Sequence, residues 1–469
     1  MEFTLQKVGI INNTTVKLNG LTVICGSNNS GKSTAGKALY ATIESLSNLE
    51  DKLHDELVLN YRRAVVSVSR ILDLGSINKY VNFNELHEFS HKDFSILIDG
   101  PYHYRKVPEY TNIVEAYISL KEAVETLDSD LLLKSSTVPQ NNQPKKFLAY
   151  LENFEESKNK ALSFLESLNK YYFNEDIQDF SEKSVAALFL NEFNGQVFPV
   201  NLKAKDRKSS VSISKNGELG CSFSIYDAKD ITAVVKKSKL FLNNAIYIDD
   251  PYALDRLVRE DEYSFLYRTS RLDYSHFGKL TRLLLKKNTD SLIEASVNKE
   301  KYDDIINKIS KVIPGSLTIR DSGIYYEEVD KEPLKVQNLA TGSKMFSIVK
   351  NLLEKGEINF DTMLILDEPE SHLHPEWQNI FAEIIVLLVK EFNTHVLLTT
   401  HSPNFLMAIE AYVKEYNLLD KANYYMATHN ADNYTVDYMC VNDNLGKIYS
   451  SFARPLVEVK QLKDNGEEG

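Results

Sequence analysis

Residues 26–34, GSNNSGKST, could hold phosphate groups. They fit the pattern G-x-x-x-x-G-K-[ST], and they lie between the apolar run LTVIC and a stretch rich in helix-forming residues. In that setting, backbone N–H groups and the helix N-terminus point at phosphate oxygens, Lys32 can reach the β and γ phosphates, and Ser33 can coordinate Mg²⁺. The residues of this turn predicted to bind nucleotide are Gly26, Asn28, Asn29, Ser30, Gly31, Lys32, Ser33 and Thr34.

A pair of carboxylates follows a second apolar run, in TMLILDEPE at residues 362–370. The run predicts a buried strand that ends beside the nucleotide. Because side chains alternate along a strand, Asp367 can face a magnesium ion, directly or through water, while Glu368 faces the γ-phosphate and polarises the attacking water. The two motifs together predict ATP and Mg²⁺ as cofactors.

Two further sequences distinguish among the classes of protein that share these motifs. QNLATGSKM at 337–345 precedes the carboxylates, VLLTTHSP at 396–403 follows them, and no N-K-x-D sequence for reading guanine is present. This order resembles the ABC family, in which a signature sequence opens a helix, an Asp-Glu strand and a D-loop follow, and a switch histidine comes last. The resemblance implies an ATP hydrolase.

Carried over to this chain, the resemblance assigns residues to the remaining parts. The signature falls on Leu339, Thr341, Gly342 and Ser343, and the D-loop falls on 370–375, ESHLHP. His401 becomes the switch histidine and, with Glu368, a catalytic residue. A helix that opens with Thr-Gly is an anion site, which in this family meets the γ-phosphate held by the opposite protomer. The chain is therefore expected to form a homodimer or a higher homo-oligomer around ATP.

The chain departs from the family pattern at three places. Lys344 stands where transporters carry Gln or Glu, Thr341 replaces the first glycine of the signature, and no Q-loop glutamine can be placed. His372 and His374 lie near Glu370 and could suggest a zinc site, but a structural role in the D-loop is preferred.

The sequences EPExHLHP, TTHSPxFL and T-G-x-K are most similar to the OLD-like (AAA15/AAA21-type) and SMC-like ATPases of bacterial anti-phage systems such as PARIS and Septu. That resemblance implies a sensor or scaffold that holds a separately encoded effector, a nuclease or toxin. A phage protein or a nucleic acid would be the trigger. The residues after His401 contain no E…DxD cluster, so no nuclease within the chain is expected.

Two alternatives remain open. One is a DNA-repair or chromosome-maintenance head similar to RecF or Rad50, whose mark would be a basic groove or a long heptad coiled coil. The other is a scaffold that binds ATP without hydrolysing it, which the presence of Glu368 disfavours.

Composition limits the class of protein. The 469 residues carry a net charge of −12, which opposes non-specific attraction to nucleic acid. KAKDRK at 203–208 and KKSK at 236–239 are the densest basic runs and are interpreted as solvated surface. No apolar stretch is long enough to span a membrane, and no secretory signal begins the chain, so a cytoplasmic protein without membrane contact is expected. Three separated cysteines indicate neither a disulfide framework nor a zinc site.

The pattern of apolar residues predicts an α/β fold of the ABC-type head, a mixed β-sheet with a phosphate-binding core and helical insertions. The N-terminal lobe is placed at 1–47 and 200–251, a helical insertion at 48–199, a helical arm at 252–312 and the C-terminal lobe at 313–469. Asn216-Gly217 between two alternating runs predicts a β-hairpin. The final DNGEEG is predicted to be disordered.

Overall fold

The fold is described from a computed structural model. It describes residues 1–82, 113–139, 142–173, 176–203, 206–227, 231–256, 275–286, 299–320, 323–430 and 434–454. Residues 257–274 and 287–298 of the arm predicted at 252–312 lie outside the described residues, as do the tail at 464–469 and two residues of the basic run at 203–208.

The chain divides into two compact units. The first comprises Met1–Ser47 and Ser181–Gly469, and the second comprises Asn48–Phe180. The helical insertion predicted at 48–199 thus contains the whole second unit together with residues 181–199, which lie in the first unit.

A large mixed sheet forms the first unit. Among the described residues it has eleven strands in the order β6-β5-β4-β1-β2-β14-β13-β3-β12-β11-β7. Their bounds are β1 Glu2–Val8, β2 Ile11–Lys17, β3 Leu21–Cys25, β4 Lys208–Lys215, β5 Glu218–Asp227, β6 Ile231–Ser238, β7 Asn244–Ile248, β11 Thr362–Asp367, β12 His395–Thr400, β13 Ala422–His429 and β14 Val436–Cys440. A smaller sheet has the order β10-β9-β8, with β8 Ser316–Arg320, β9 Gly323–Glu327 and β10 Leu334–Lys335. The mixed α/β fold predicted from the sequence is confirmed.

The strands that carry the motifs are parallel neighbours. β3 pairs with β12, β12 with β11, and β11 with β7, all in parallel. All five residues of β3 are buried, as are five of the six in β11. Apolar runs buried on both faces are typical of parallel strands covered by helices, which explains why these segments lack alternation.

The predicted hairpin is present between β4 and β5. Asn216 has φ 52° and Gly217 has φ 81°, both in the left-handed region. A two-residue turn with this geometry matches the right-handed twist of the flanking strands, which is why the Asn-Gly pair predicts it.

Seven helices complete the first unit as described. They are α1 Lys32–Leu46, α7 Ile177–Glu192 (which begins in the last residues of the second unit), α8 His276–Leu285, α9 Lys299–Val312, α10 Thr341–Glu354, α11 Pro375–Phe392 and α12 Pro403–Glu415. Short 3-10 turns lie at Pro251–Arg256, Val336–Asn338 and Leu419–Lys421. Within the arm predicted at 252–312, the described helices α8 and α9 place Leu280, Leu284, Ile305 and Ile309 in the same apolar core as β11 and α10.

The described residues of the second unit are mainly helical. Its helices are α2 Leu49–Ile71, α3 Leu74–Ile77, α4 Ile113–Thr126, α5 Ser129–Lys134 and α6 Lys145–Leu168, followed by a π-helical turn at Asn169–Phe173. Their apolar faces form a core of their own, in which Tyr117 stacks on Phe173 with ring centroids 4.0 Å apart. No helix among the described residues combines the length and apolarity that a membrane crossing requires.

Candidate nucleotide site

The motif residues meet at one edge of the large sheet. Gly26 follows β3, Glu368 follows β11 and His401 follows β12. The register of the strands places these ends side by side, because Asp367 lies opposite Thr399 and Thr400 lies opposite Cys25. The carboxyl ends of parallel strands are where open α/β sheets bind ligands.

The turn at 26–34 has the backbone shape of a phosphate-binding loop. Asn29 and Gly31 have φ of 61° and 76°. A Cβ atom on Gly26 would lie 2.5 Å from Ser30 Oγ, so the loop closes tightly only with glycine there. Helix α1 starts after Gly31 without a side-chain cap, which leaves the first-turn N–H groups available for an anion. This arrangement fits a nucleotide phosphate.

The other side chains of the turn differ in their exposure to solvent. Asn28, Asn29 and Ser33 are exposed, whereas Ser30 is buried and donates a hydrogen bond of 2.7 Å to the carbonyl of Ser27. Thr34 is half-buried and packs where a side chain on Gly9 would otherwise lie. Of these side chains, Ser33 is therefore placed at the surface where a metal–phosphate complex could reach it.

Lys32 is buried at the centre of the site. Its Nζ donates to the carbonyl oxygens of Gly26 at 3.0 Å and Ser27 at 2.9 Å, and it pairs with Glu368 Oε1 at 3.1 Å. The Lys32 ammonium group thus contacts three oxygen atoms of the protein, and phosphate oxygens could take their place.

Glu368 joins the two ends of the site. Its Oε2 lies 3.0 Å from His401 Nδ1, while Oε1 contacts Lys32. Glu368 lies past the end of β11 with φ 49°, and its amide donates to Thr399 at 3.1 Å. The different directions of Asp367 and Glu368 therefore come from this left-handed residue and not from regular strand alternation.

Both oxygens of Asp367 have protein donors. The hydroxyl of Tyr247, on β7, donates to Oδ2 at 3.0 Å, and the hydroxyl of Thr399 donates to Oδ1. Burial, and then the Asp367 carboxylate, raise the pKa of Tyr247 well above its usual value, so Tyr247 stays a neutral donor. The carboxylate is fixed in one orientation.

The set of donors fits Mg²⁺ held mainly through phosphate and water. No group of three or more His, Cys, Asp or Glu within the described part of the chain is placed to hold a metal by itself. Mg²⁺ commonly takes one or two protein oxygens and keeps the rest of its shell from phosphates and water. Ser33 and Asp367 would supply those two oxygens.

The residues predicted to form the signature lie at the start of helix α10. Ala340 caps α10 without a side-chain hydrogen bond, and the Thr341 hydroxyl lies 3.1 Å from the hydroxyl of Tyr252. A Cβ atom on Gly342 would lie 3.1 Å from the carbonyl oxygen of His372, so glycine permits close contact with the D-loop. Ser343 is 8% exposed and Leu339 is half-buried.

Lys344, which departs from the family pattern, has a structural explanation. It is buried, its Nζ lies 2.6 Å from Asp255 Oδ1, and it lies 5.1 Å from the ring centroid of Tyr252. A buried charge needs such a partner. Tyr252 and Asp255 come from the 3-10 turn after β7, and sequence reasoning missed both because nothing in PYALDR marks them as partners of a residue nearly ninety positions away.

The D-loop lies between the carboxylate pair and α11. Glu370 is buried and accepts a hydrogen bond from the Thr400 hydroxyl, and burial raises the pKa of its carboxyl. His372 is exposed and meets the Tyr252 ring edge-on at 5.8 Å, while His374 is exposed and precedes α11 as its N-cap. Residues 370–375, the predicted D-loop, thus contact both β12 and the start of α10.

Sequence reasoning also missed Tyr247 and Thr399. The apolar run AIYIDD at 245–250 is typical of a strand, but which face Tyr247 would occupy depends on its pairing with β11. The sequence did contain an indication of Thr399 as a site residue, since TTH places a hydroxyl near the end of the strand beside His401.

The family model described as AAA ATPase domain, AAA_15, matches residues 9–406. The chain belongs to this family. The match spans the phosphate loop, the carboxylate pair and His401, and it confirms the expectation of an ATPase domain.

This ATPase domain is also similar to solved structures. An SMC head domain from Thermotoga maritima has a TM-score of 0.36 at 11% identity, covering 94% of this chain and 98% of that chain. An Smc head bound to the C-winged helix domain of ScpA has a TM-score of 0.38 at 9% identity, covering 94% and 96%. An Smc head with an extended coiled coil, bound to the C-terminal domain of ScpA derived from Pyrococcus furiosus, has 0.32 at 12%, covering 96% and 98%. No curated protein matches the chain in sequence.

Proposed function

We propose that two copies of this ATPase close around ATP, hydrolyse it and thereby switch a separately encoded effector in bacterial defence against phage. The position of α10 is the observation that supports a dimer. The phosphate loop follows β3, whereas Tyr252, which contacts Thr341, follows β7. Those strands are three steps apart in the sheet, about 14 Å at the usual strand spacing. The signature of one chain is therefore expected to meet nucleotide on another.

The roles of the residues follow from their contacts. When ATP is bound it supplies the phosphate chain and, with Mg²⁺, the reacting centre. Lys32 would exchange Glu368 for phosphate oxygens, because both are anionic partners at the same ammonium group. Ser33 and Asp367 would hold the magnesium ion.

Glu368, once released from Lys32, can accept a hydrogen bond from the attacking water. His401 lies beside Glu368 and is exposed, so its ring can contact the γ-phosphate and make the end of β12 sensitive to hydrolysis. Thr341 and Gly342 would close the site from the partner protomer, with the uncapped N-terminus of α10 directed at the γ-phosphate.

Control of an effector rests on the motif resemblance to anti-phage ATPases and on the switch character of the site. Binding energy that exists only across a closed interface shifts the monomer–dimer equilibrium by the difference in ATP affinity of the two forms. The effector, a nuclease or toxin, would be held in one of these states and released by a phage protein or nucleic acid.

The test of the dimer uses Glu368→Gln, which keeps the shape of the side chain and removes the base. Size-exclusion chromatography with light scattering should show a dimer or larger species with ATP and Mg²⁺ and a smaller species without them. Adding Lys32→Ala to the same variant should abolish the shift. An elution profile that ATP leaves unchanged in Glu368→Gln would refute the sandwich mechanism.

The test of the effector uses the protein encoded beside this gene. Co-purification that depends on ATP, and loss of phage protection in Lys32→Ala cells, are the expected results. Salt-dependent binding of duplex DNA by the ATPase alone, without a co-purifying partner, would instead favour a DNA-repair head.

A further inference from the structure

The Tyr247 hydroxyl contacts Asp367 of the carboxylate pair, and neither the motifs nor the proposed reaction gives Tyr247 a role. It is 1% exposed, and its hydroxyl lies 3.0 Å from Asp367 Oδ2. Thr399 holds the other oxygen of the same carboxylate. Two donors on one carboxylate restrict rotation about its last bond, and that restriction fixes the direction of the lone pairs left for a metal ion.

The ring of Tyr247 is itself held in place. Its centroid lies 4.8 Å from that of His276 and 6.3 Å from that of Tyr40 on α1, and His276 also meets Tyr40 edge-on at 6.0 Å. These three rings fill the space between β7, α1 and α8.

His276 is anchored by two carboxylates. Its Nδ1 lies 2.6 Å from Glu192 Oε2, its Nε2 lies 3.2 Å from Asp249 Oδ2, and its amide donates to Glu192 Oε1 at 2.9 Å. With both ring nitrogens engaged, the imidazole cannot flip, and its plane lies at 48° to the ring of Tyr247.

Helix α8, which begins at His276, also touches the other two parts of the nucleotide machinery. Lys279 pairs with Glu44 of α1 at 2.5 Å. At the other end, Lys355, which follows α10, donates to the carbonyl oxygens of Leu283 at 3.1 Å and Leu284 at 2.5 Å. The support of Tyr247 is thus continuous with the phosphate-loop helix and the signature helix.

We propose that Tyr247 is a positioning residue for the metal-ligating carboxylate Asp367, oriented by His276 at the start of α8. This inference rests on the proposed function only in taking ATP with Mg²⁺ as the ligand. The hydroxyl acts through Asp367 and touches no nucleotide, so its loss weakens the contribution of the metal and leaves metal-free nucleotide binding intact.

The test is Tyr247→Phe, which removes one oxygen and keeps the ring. Isothermal titration calorimetry gives the Kd of ATP in EDTA and again in excess Mg²⁺, and their ratio measures how much the metal tightens binding. We expect Tyr247→Phe to reduce that ratio about tenfold, as for the loss of one hydrogen bond to a charged group, while the Kd in EDTA changes less than twofold. His276→Gln should reduce the ratio in the same direction by a smaller factor.

The matched control is Tyr425→Phe. Tyr425 is also buried in the large sheet, but its hydroxyl accepts from the amide of Lys17. This variant should keep the wild-type ratio, and thermal unfolding of both variants checks that each is folded at the temperature of the titration.

An unchanged ratio in Tyr247→Phe would overturn the inference, as would equal weakening of ATP binding with and without Mg²⁺. The readout does not require turnover. If the wild-type protein binds Mg²⁺–ATP but does not hydrolyse it, the proposed function is refuted. The ratio of Kd values in Tyr247→Phe and the wild type still tests the role of Tyr247 in that case.

Discussion

The ion pair between Lys32 and Glu368 must open when phosphate binds, and this makes a quantitative prediction. Glu368→Gln removes the negative charge that competes with ATP for the Lys32 ammonium group. It also removes repulsion between the carboxylate and the γ-phosphate. We therefore expect the variant to bind ATP more tightly than the wild type.

The magnitude follows from the exposure of the pair. The Lys32 side chain is 4% exposed and that of Glu368 is 30% exposed, with 3.1 Å between Nζ and Oε1. Exposed ion pairs contribute up to about 1 kcal/mol, and hydrogen bonds to charged groups in partly buried sites contribute about 1.5–3 kcal/mol. An intermediate value of about 1–2 kcal/mol corresponds to a Kd lowered roughly 5- to 30-fold.

The assay is calorimetric titration of ATP in EDTA, where hydrolysis does not occur. Repeating it at several protein concentrations separates intrinsic affinity from dimer formation, because only the latter makes the apparent Kd depend on concentration. The control is Glu383→Gln, which breaks an ion pair with Lys308 of 2.9 Å in the same unit and should leave the Kd unchanged. Equal or weaker ATP binding by Glu368→Gln would refute the competition.

Three further predictions use other parts of the site. Lys32→Ala should weaken ATP binding at least 100-fold in the same titration, because no other cation among the described contacts of the loop replaces it; micromolar affinity would refute the phosphate-loop assignment. Thr341→Asp should keep ATP binding within twofold and abolish the ATP-dependent dimer in light scattering, since a carboxylate suits a helix N-terminus but repels the partner's γ-phosphate; a persisting dimer would contradict the sandwich. His276 lies 18% exposed between Glu192 and Asp249, and although burial acts to lower its pKa, these carboxylates raise it from 6.5 to about 9. Because the pKa is higher in the folded state, protonated His276 contributes its full stabilisation below pH 6.5, and this contribution is lost as the pH rises through 9. Urea titrations should therefore show about 3 kcal/mol of unfolding free energy lost across this interval relative to His276→Gln. Parallel pH profiles of the two proteins would contradict this.

Local features of the site could be predicted because they depend on neighbours in the chain. The turn at 26–34 takes glycine at 31, where the backbone is left-handed with φ 76°, and at 26, where a Cβ atom would meet Ser30. Strands β3 and β11 are apolar runs bounded by turn residues. The Asn216-Gly217 hairpin was predictable for the same reason.

Features that depend on pairing between distant segments could not be predicted. The extent of the helical unit is an example, since residues 181–199 continue the helical pattern of 48–180 but pack with the other unit. Amphipathic periodicity shows which face of a helix is buried and does not identify the core that buries it. The partner of Lys344 was similarly hidden, because Asp255 lies in a turn without a recognisable pattern.

The sequence by itself determined the phosphate loop, the carboxylate pair and the order of the motifs, since each is a short segment whose chemistry and backbone preference are local. Tertiary structure alone decided that Glu368 joins Lys32 to His401, that Tyr247 holds Asp367, and that α8 touches both α1 and the residue after α10. The physical reason is that strand order, register and helix packing bring together residues from separate segments of the chain, and these are set by burial of whole faces of the sheet, which no local spacing encodes.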